Sequence, residues 1–197
     1  MKKLEKEEEQ RLIKNCLAGE RDALEEFIRL FQKPVFNLAY RLCGDRDMAE
    51  DIAQEALLRA LENLPRFKGE SSLYTWLYRI TTNIFYDSIR GSKELSYDQM
   101  SYNEDEGETK SIELPDEESS VEKDMERRDI QEIVQKEIAK LPTHYRTVLV
   151  LYDIEGFSYE EICGILQKPI GTIKSRLNRA RKILKARLEK YRELFED

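Results

Sequence analysis

Apolar residues recur at intervals of three and four positions over most of this chain, the spacing that places them on one face of an α-helix. Interruptions are few, because only 8 glycines and 5 prolines occur in 197 residues. The pattern occupies two blocks, residues 1–90 and residues 127–197. We therefore predict an all-α fold with two small helical domains, an N-terminal helical bundle and a C-terminal domain.

Residues 91–126, between the two blocks, lack any such period. They include 13 acidic residues and three lysines, and they have few large apolar side chains. Such a composition cannot bury enough apolar surface to offset the entropy lost on ordering. We predict that residues 91–126 form a flexible acidic linker.

Charge is strongly segregated along the chain. The formal net charge of −7 disfavours a nucleic-acid partner if it is taken as an average. Residues 168–192, however, contain ten lysines or arginines and one acidic residue, Glu189. A concentrated positive segment of this kind is typical of a surface that binds phosphates.

A short helix is predicted just before the basic segment. Ser158 and Glu161 match a capping box, in which each residue satisfies a backbone N–H of the other. The helix should run from Tyr159 to about Gln167. Its inward-facing residues are expected to be Ile162, Cys163 and Leu166.

A second, longer helix should follow a break at residues 168–171, where Pro169 removes a backbone donor. Thr172 is a suitable N-cap for it. A short helix, a tight turn and a long basic helix form the helix-turn-helix geometry that places the second helix in the DNA major groove. Arginine and lysine suit guanine there, asparagine suits adenine, and other cations hold phosphates. The polar face comprises Lys174, Ser175, Arg176, Asn178, Arg179, Arg181 and Lys182.

In the N-terminal block, residues 67–90 contain a second pattern that suits contact with nucleic acid. One helical stripe accounts for packing: Leu73, Trp76, Leu77, Ile80 and Ile84. We expect the remaining faces to expose aromatic, arginine and asparagine side chains, which suits stacking on unpaired bases. For any one of the tyrosines, a half-buried position at the edge of the bundle is the favoured interpretation. For the cluster as a whole, the two interpretations are equally open. These side chains are Tyr74, Tyr78, Arg79, Thr82, Asn83, Tyr86 and Arg90.

The preceding helix has a polar face that consists of Asp51, Gln54, Glu55 and Arg59. Such a face can be merely solvated, or it can be an electrostatic docking surface for a protein partner.

Four segments together resemble an extracytoplasmic-function sigma factor of bacterial RNA polymerase. They are residues 49–64 (AEDIAQEALLRALENL), 71–83 (SSLYTWLYRITTN), 141–166 (LPTHYRTVLVLYDIEGFSYEEICGIL) and 169–184 (PIGTIKSRLNRARKIL). The match covers both helical blocks in the order and spacing of that family. It implies a region 2-like domain at residues 1–90 and a region 4-like domain at residues 127–197. The resemblance further implies that the protein recognises the −35 and −10 promoter elements and melts the −10 region.

The resemblance also implies roles for individual residues. Asp51, Gln54, Glu55 and Arg59 would bind the clamp helices of the core polymerase, and the C-terminal domain would meet its flap. Residues 67–72, with Phe67, Lys68, Ser71 and Ser72, would capture a flipped base of the −10 element. Tyr74, Trp76, Arg79 and Asn83 would lie in the −10 recognition helix. Thr172, Lys174, Ser175, Arg176, Asn178, Arg179 and Arg181 would contact the −35 element. An anti-sigma factor is an expected partner.

Two positions depart from the family pattern. Cys163 replaces the usual alanine of the first helix of the motif, and its small size should preserve packing. Gln167 replaces the usual glycine at the end of that helix. If the turn requires a positive φ there, glutamine costs roughly 1 kcal/mol.

Other classes of protein fit less well. Cys16, Cys43 and Cys163 are too widely spaced for a zinc site, and the sequence has no phosphate-binding glycine motif, so we expect no metal and no cofactor. His144, the only histidine, has no catalytic motif around it, so we expect no enzyme activity. No apolar stretch approaches the ~20 residues of a membrane span, so we expect a cytoplasmic protein without membrane insertion. The main alternative is a stand-alone helix-turn-helix regulator, which would leave the N-terminal signals unused. A pure protein-interaction adaptor would not account for the basic helix.

Overall fold

The computed structural model describes residues 4–94 and 122–191, with side chains described for residues 4–90 and 130–191. All regular elements in these ranges are helices, as the periodicity predicts. The first block contains α1 (Lys6–Leu17), α2 (Arg21–Cys43), α3 (Arg46–Asn63), a short 3-10 turn (Leu64–Arg66) and α4 (Leu73–Glu94). The second contains α5 (Glu122–Ala139), α6 (Thr143–Leu149), α7 (Tyr159–Leu166) and α8 (Ile170–Leu188). A π-helical turn, Val150–Ile154, continues α6.

The break between α2 and α3 is made by two adjacent residues with different tasks. Gly44 ends α2 in the left-handed region, at φ +75°, and its N–H donates to the Tyr40 carbonyl at 2.8 Å. Asp45 then caps α3 through a side-chain oxygen that accepts from the Met48 N–H at 2.7 Å. Glycine has no Cβ penalty at positive φ, and aspartate is a preferred N-cap. Helices α2 and α3 therefore fold back on each other as an antiparallel pair.

The first domain is built around α2 and α4. Phe27, Phe31 and Leu38 of α2 are fully buried, and so are Leu73 and Leu77 of α4. Phe31 packs edge-on against Tyr74, with ring centroids 4.8 Å apart. Helix α3, on which the predicted polymerase-binding residues lie, packs against both α2 and α4.

The second domain has its own buried residues, including Leu141, Val148, Leu151, Ile162 and Leu177. Helix α8 packs against α6 and α7. The core does not stop at the domain boundary, because α4 also packs against α7, and α2 packs against α5. The two helical blocks therefore lie against each other in this structure.

Helix extends into both ends of the segment that we predicted to be a flexible linker. Helix α4 continues to Glu94, and α5 begins at Glu122. The remainder of that prediction, residues 95–121, lies outside the described residues. Within the described ranges, no helix is both long enough and apolar enough to cross a membrane.

Candidate nucleic-acid interface

The capping box predicted for α7 is confirmed. The Ser158 Oγ accepts from the Glu161 backbone N–H at 3.2 Å, and the Ser158 N–H donates to Glu161 Oε2 at 2.9 Å. Two backbone donors that the first turn leaves without helical partners are thereby satisfied. The start of the helix-turn-helix is thus set by these two residues.

The inward face of α7 differs in part from the predicted one. Ile162 is fully buried as expected, but Cys163 and Leu166 are only half-buried. Ile165, which the prediction missed, is 1% exposed. Helix α7 packs on both α4 and α8, so its buried surface is centred on Ile162 and Ile165. Helical periodicity alone shows which residues share a face, but it does not show where a second neighbour lies.

The turn after α7 does require a positive φ. Gln167 lies in the left-handed region, with φ 51° and ψ 45°. A residue with a Cβ is strained there by about 1–2 kcal/mol relative to the right-handed region. The departure from glycine noted in the sequence therefore has a structural cost, and the tight turn forms despite it.

Thr172 is not the N-cap of the recognition helix, so that prediction was wrong. Helix α8 begins at Ile170, after Pro169 in the N-cap position, and no side chain caps it. Pro169 has φ −59° and its carbonyl accepts the first helical bond, from the Ile173 N–H at 3.1 Å. Thr172 instead lies in the first turn, where its carbonyl accepts from Ser175 Oγ at 3.0 Å.

Helix α8 has the two faces that the sequence predicts. Ile173, Leu177 and Ala180 are buried at 0%, 2% and 0% exposure. The opposite side is polar and basic. Its exposed members are Lys174, Ser175, Asn178, Arg179, Arg181 and Lys182, and Arg176 is half-buried. A helix fixed along one face that presents cations, a hydroxyl and an amide along the other is suited to the major groove.

Two cations of this face are held in place by aromatic rings. Lys174 Nζ lies 5.3 Å from the centre of the Tyr159 ring, and the Arg181 guanidinium carbon lies 5.3 Å from the centre of the Tyr152 ring. The two tyrosine rings are stacked on each other at 4.7 Å. Cation–π contacts of this geometry restrict the side chains without neutralising their charge. Sequence reasoning missed both tyrosines as supports for the basic face.

Arg181 has a further partner in Asp153, the residue that follows Tyr152 in the chain. Its guanidinium donates two hydrogen bonds to the Asp153 carboxylate, one of them at 3.0 Å. This contact raises the pKa of Arg181, chiefly through the hydrogen bond. Arg179 is held differently, since its guanidinium donates to the Tyr145 hydroxyl at 3.4 Å. The basic face is therefore partly ordered before any DNA is bound.

Of the two interpretations of the α4 tyrosines, burial in the bundle is correct for Tyr74 and Tyr78, which are 5% and 0% exposed, and Thr82 is fully buried as well. Trp76 is 9% exposed, as its place in the packing stripe predicts. Burial raises the pKa of both tyrosines, most strongly that of Tyr78. Helix α4 is covered by α2, α3 and α7, so most of its circumference is packed. DNA contact by Tyr74 and Trp76 stays a prediction, and it requires these rings to become accessible.

Some residues of this region do face solvent. Asn83 is exposed and Arg79 is half-buried on α4. In the preceding loop, Lys68 and Ser71 are exposed, and Gly69 has φ +71°. Phe67 is half-buried against Trp76, with ring centroids 5.1 Å apart. Arg79 and Asn83 thus lie one helical turn apart in the first half of α4, and Phe67, Lys68 and Ser71 lie in the loop before it.

Ser72 has a structural task in that loop. Its Oγ accepts from the Thr75 N–H at 3.1 Å, and it lies 2.9 Å from the Thr75 hydroxyl. The next backbone donor, the Leu73 N–H, is satisfied by Glu9 Oε2 of α1 at 2.9 Å. Nothing local in the sequence indicates Glu9, because 64 positions separate the two residues. The N-terminus of α4 is thus held by one hydrogen bond within its own first turn and by another from α1.

The four residues predicted to bind the polymerase lie along the outer side of α3. Asp51, Gln54 and Arg59 are exposed and Glu55 is half-buried. Arg59 donates to Glu55 Oε1 at 2.6 Å, one helical turn away. On the other side of α3, Ile52, Ala56 and Ala60 are buried. The polar face is accessible and fixed to the core, as an interaction surface must be.

This geometry defines a helical DNA-binding protein with a helix-turn-helix and a second polar surface on a separate bundle. Comparison with protein families identifies the class. Residues 27–94 match the model for Sigma-70 region 2, and residues 131–184 match the model for Sigma-70, region 4. The chain belongs to the extracytoplasmic-function (ECF) sigma factors of RNA polymerase.

Similar proteins span nearly the whole chain. The RNA polymerase sigma-H factor of Pseudomonas aeruginosa is 33% identical over 94% of this chain and 96% of its own length. The ECF RNA polymerase sigma factor SigW of Bacillus subtilis is 36% identical over 89% of this chain and 94% of its own. Among solved structures, the sigma factor RpoE of Bartonella quintana, in complex with the anti-sigma factor NepR, matches with a TM-score of 0.64. It is 29% identical and covers 84% of this chain and 96% of its own.

Proposed function

We propose that this sigma factor reads its two promoter elements with the surfaces described above, and that its residues divide the task. Region 2 would comprise residues 1–90 and region 4 residues 127–197. The observation that carries the proposal is α8, whose apolar face is buried in a helix-turn-helix and whose opposite face is basic and exposed. Asn178 and Lys174 are placed to read base edges, and Arg176, Arg179 and Arg181 to hold phosphates.

The −10 element would be bound by the loop before α4 and by the first half of α4. Lys68, Ser71 and Asn83 are exposed there, and Arg79 is half-buried. Phe67 is half-buried beside them, so its ring can stack on a flipped base after a small movement. Each stacked base contributes about 1–3 kcal/mol to holding the strands apart. Melting then needs no catalytic residue in this chain, because the captured bases stabilise the open strand.

The polymerase would dock on α3 through Asp51, Gln54, Glu55 and Arg59, and region 4 would meet the polymerase flap. We propose that the chemistry belongs to the polymerase and that the sigma factor has no catalytic role of its own. We place its action in the cytoplasm, where polymerase and promoter meet. Because the Bartonella relative is bound to an anti-sigma factor, we also propose an anti-sigma partner for this chain.

Abortive initiation from a promoter library tests the proposal, with bacterial core polymerase alone, this protein alone and both together. We expect transcripts only with both components, and a two-element motif among the active promoters. A complete lack of transcripts, together with tight sequence-specific binding by the protein alone, would favour a stand-alone regulator. The same library gives the base preferences at the −35 element, which we assign to α8, and at the −10 element, which we assign to α4 and the loop before it.

A further inference from the structure

Helix α1 has a carboxylate on the side that packs into the first domain. Leu12 and Cys16 are 5% and 7% exposed, and Glu9 lies three and seven positions before them, on the same side of the helix. Glu9 is half-buried, whereas Glu7 and Glu8 of the same turn are exposed. An acidic side chain on an apolar face is unfavourable unless a donor pairs with it. A specific donor is therefore required near Glu9.

The donor is a backbone N–H at the start of another helix. Glu9 Oε2 accepts from the Leu73 N–H at 2.9 Å, and Leu73 is the first residue of α4. The first N–H groups of a helix have no acceptor within that helix. Leu73 is also fully buried, so water has no access to this donor, and an unpaired buried donor is costly. The hydrogen bond thus satisfies a half-buried carboxylate and a buried donor together.

Helix α1 contacts both ends of the loop at residues 67–72. The loop begins after the 3-10 turn Leu64–Arg66, against which α1 packs, and it ends at the Leu73 N–H that Glu9 holds. At the start of the loop, the Phe67 ring packs against the first turn of α4. The separation of the two loop ends is therefore fixed by α1 and α4 rather than by the loop itself.

A loop held at both ends suits the capture of a base. We assign this loop, with Phe67, Lys68 and Ser71, to a base flipped out of the −10 element. Flipping a base out of the stack is costly, and the cost is recovered only if the pocket fits that base. A loop that is ordered before binding loses less conformational entropy when the base enters. A loop that is free at one end can adapt to other bases, so it discriminates less between them.

We propose that Glu9 is a positioning residue for −10 recognition, which acts through the Leu73 N–H to fix the loop at residues 67–72. The inference rests on the promoter-recognition function above. Glu9 itself need not contact DNA, because its effect reaches the bases through the backbone of the loop. This assigns a role in base selection to α1, which precedes the residues that match Sigma-70 region 2.

Three substitutions at Glu9 separate the hydrogen bond from the charge. Glu9→Gln keeps the length of the side chain and an oxygen acceptor but has no charge. Glu9→Asp keeps the charge, but its side chain is shorter by one methylene, so the carboxylate is drawn back from Leu73. Glu9→Ala removes both the acceptor and the charge. Glu7→Ala is the matched control, because Glu7 is an exposed glutamate in the first turn of the same helix.

The test is transcription by core polymerase with each full-length variant, from promoter libraries randomised separately at the −10 and −35 elements. We expect Glu9→Ala and Glu9→Asp to reduce discrimination at one −10 position by about fivefold, since the loop loses a hydrogen bond at its end. Glu9→Gln and Glu7→Ala should keep the discrimination of the parent protein. The −35 preferences should stay unchanged in all four variants.

The promoter libraries can overturn the proposal in three ways. These are unchanged −10 discrimination in Glu9→Ala, an equal loss in Glu9→Gln, and an equal loss at both promoter elements, which indicates general destabilisation. If the parent protein itself directs no transcription, the promoter-recognition function is refuted, and the role of Glu9 in it is refuted as well. A parent that transcribes normally beside an unaffected Glu9→Ala refutes the role of Glu9 alone.

Amide hydrogen exchange in the free full-length protein is the second measurement. The Leu73 amide should exchange about tenfold faster in Glu9→Ala and Glu9→Asp than in the parent, because its acceptor is lost. Its exchange should be unchanged in Glu9→Gln and Glu7→Ala. Equal rates in the parent and Glu9→Asp would overturn the proposal, since Glu9 would then not hold the start of α4. If circular dichroism shows that Glu9→Ala does not fold, Glu9→Asp provides the comparison in both experiments.

Discussion

Arg181 on α8 is held by Asp153, 28 positions earlier in the chain, through two hydrogen bonds to its carboxylate. The same guanidinium lies over the Tyr152 ring. These contacts orient Arg181, which we expect to bind a DNA phosphate. They also place the Asp153 carboxylate next to the position of that phosphate. Asp153 therefore both positions Arg181 and competes with DNA for it.

Replacing Asp153 by asparagine should strengthen DNA binding by region 4. The variant releases Arg181 and removes a negative charge near the phosphates, whereas the exposed ion pair that it breaks is worth at most about 1 kcal/mol. We expect a severalfold higher affinity of the free protein for DNA at low salt, measured by fluorescence anisotropy. The gain should shrink as salt rises, and the double variant Asp153→Asn/Arg181→Ala should lose it. Unchanged affinity at low salt would contradict the competition.

Charge reversal at Arg59 should weaken binding to core polymerase. Arg59→Glu breaks the ion pair with Glu55 and places three acidic side chains on the α3 face, so a complementary partner surface is repelled. We expect at least a tenfold loss of affinity, measured by biolayer interferometry. Arg21→Glu is the matched control, because Arg21 forms an equivalent one-turn pair with Glu25, at 2.9 Å on α2. Equal losses in the two variants would refute a specific role for α3.

Asn178 and Arg176 should have separable effects on promoter choice. Asn178→Ala removes a group placed to read a base edge, so it should cost about 1–3 kcal/mol at the preferred promoter and relax selectivity at one −35 position. Arg176→Ala should weaken binding to all sequences and reduce the salt dependence by about one counterion. Library transcription and salt titrations distinguish the two. An altered −35 motif in Arg176→Ala would reverse the assignments.

Gln167→Gly should stabilise the second domain. The φ of 51° at Gln167 costs a residue with a Cβ about 1–2 kcal/mol, which glycine avoids. Part of this gain is offset, because glycine also has more freedom in the unfolded chain. We expect the melting temperature to rise by up to about 2–4 °C in differential scanning calorimetry. Gln167→Ala keeps the strain and serves as the control. An equal rise in both variants would show that backbone strain is not the cause.

Alkaline pH should destabilise the protein through its buried tyrosines. Burial raises the pKa of Tyr78 and Tyr86 in the folded state, whereas unfolded tyrosine titrates near about 10. The neutral phenols therefore contribute stability in full below pH ~10, and this is lost as pH rises above it. Urea unfolding at several pH values between about 9 and 11.5 measures the slope. Tyr78→Phe should flatten that slope, and an unchanged slope would exclude Tyr78 as its source.

Short-range features of the structure were predictable from the sequence. The capping box at Ser158 and Glu161 and the end of α7 before Pro169 both follow from interactions within a few residues. The positive φ at Gln167 was suggested only by the glycine that the family usually has there. The two faces of α8 follow in the same way, because spacing along one helix decides which side chains point together. These interactions form in nearly the same way whatever surrounds the helix.

The burial of α4 beyond one packing stripe was decided by the tertiary structure. Periodicity predicted that stripe, and it placed Tyr74, Tyr78 and Thr82 on other faces, where both exposure and burial were open. Phe31 of α2 covers Tyr74, and Phe157 and Glu155 of the second domain cover Tyr78. Each contact joins residues more than 40 positions apart in the chain. The sequence by itself determined which residues share a helix face. Only the folded chain decided how many of those faces are covered, because burial depends on which surfaces meet in space.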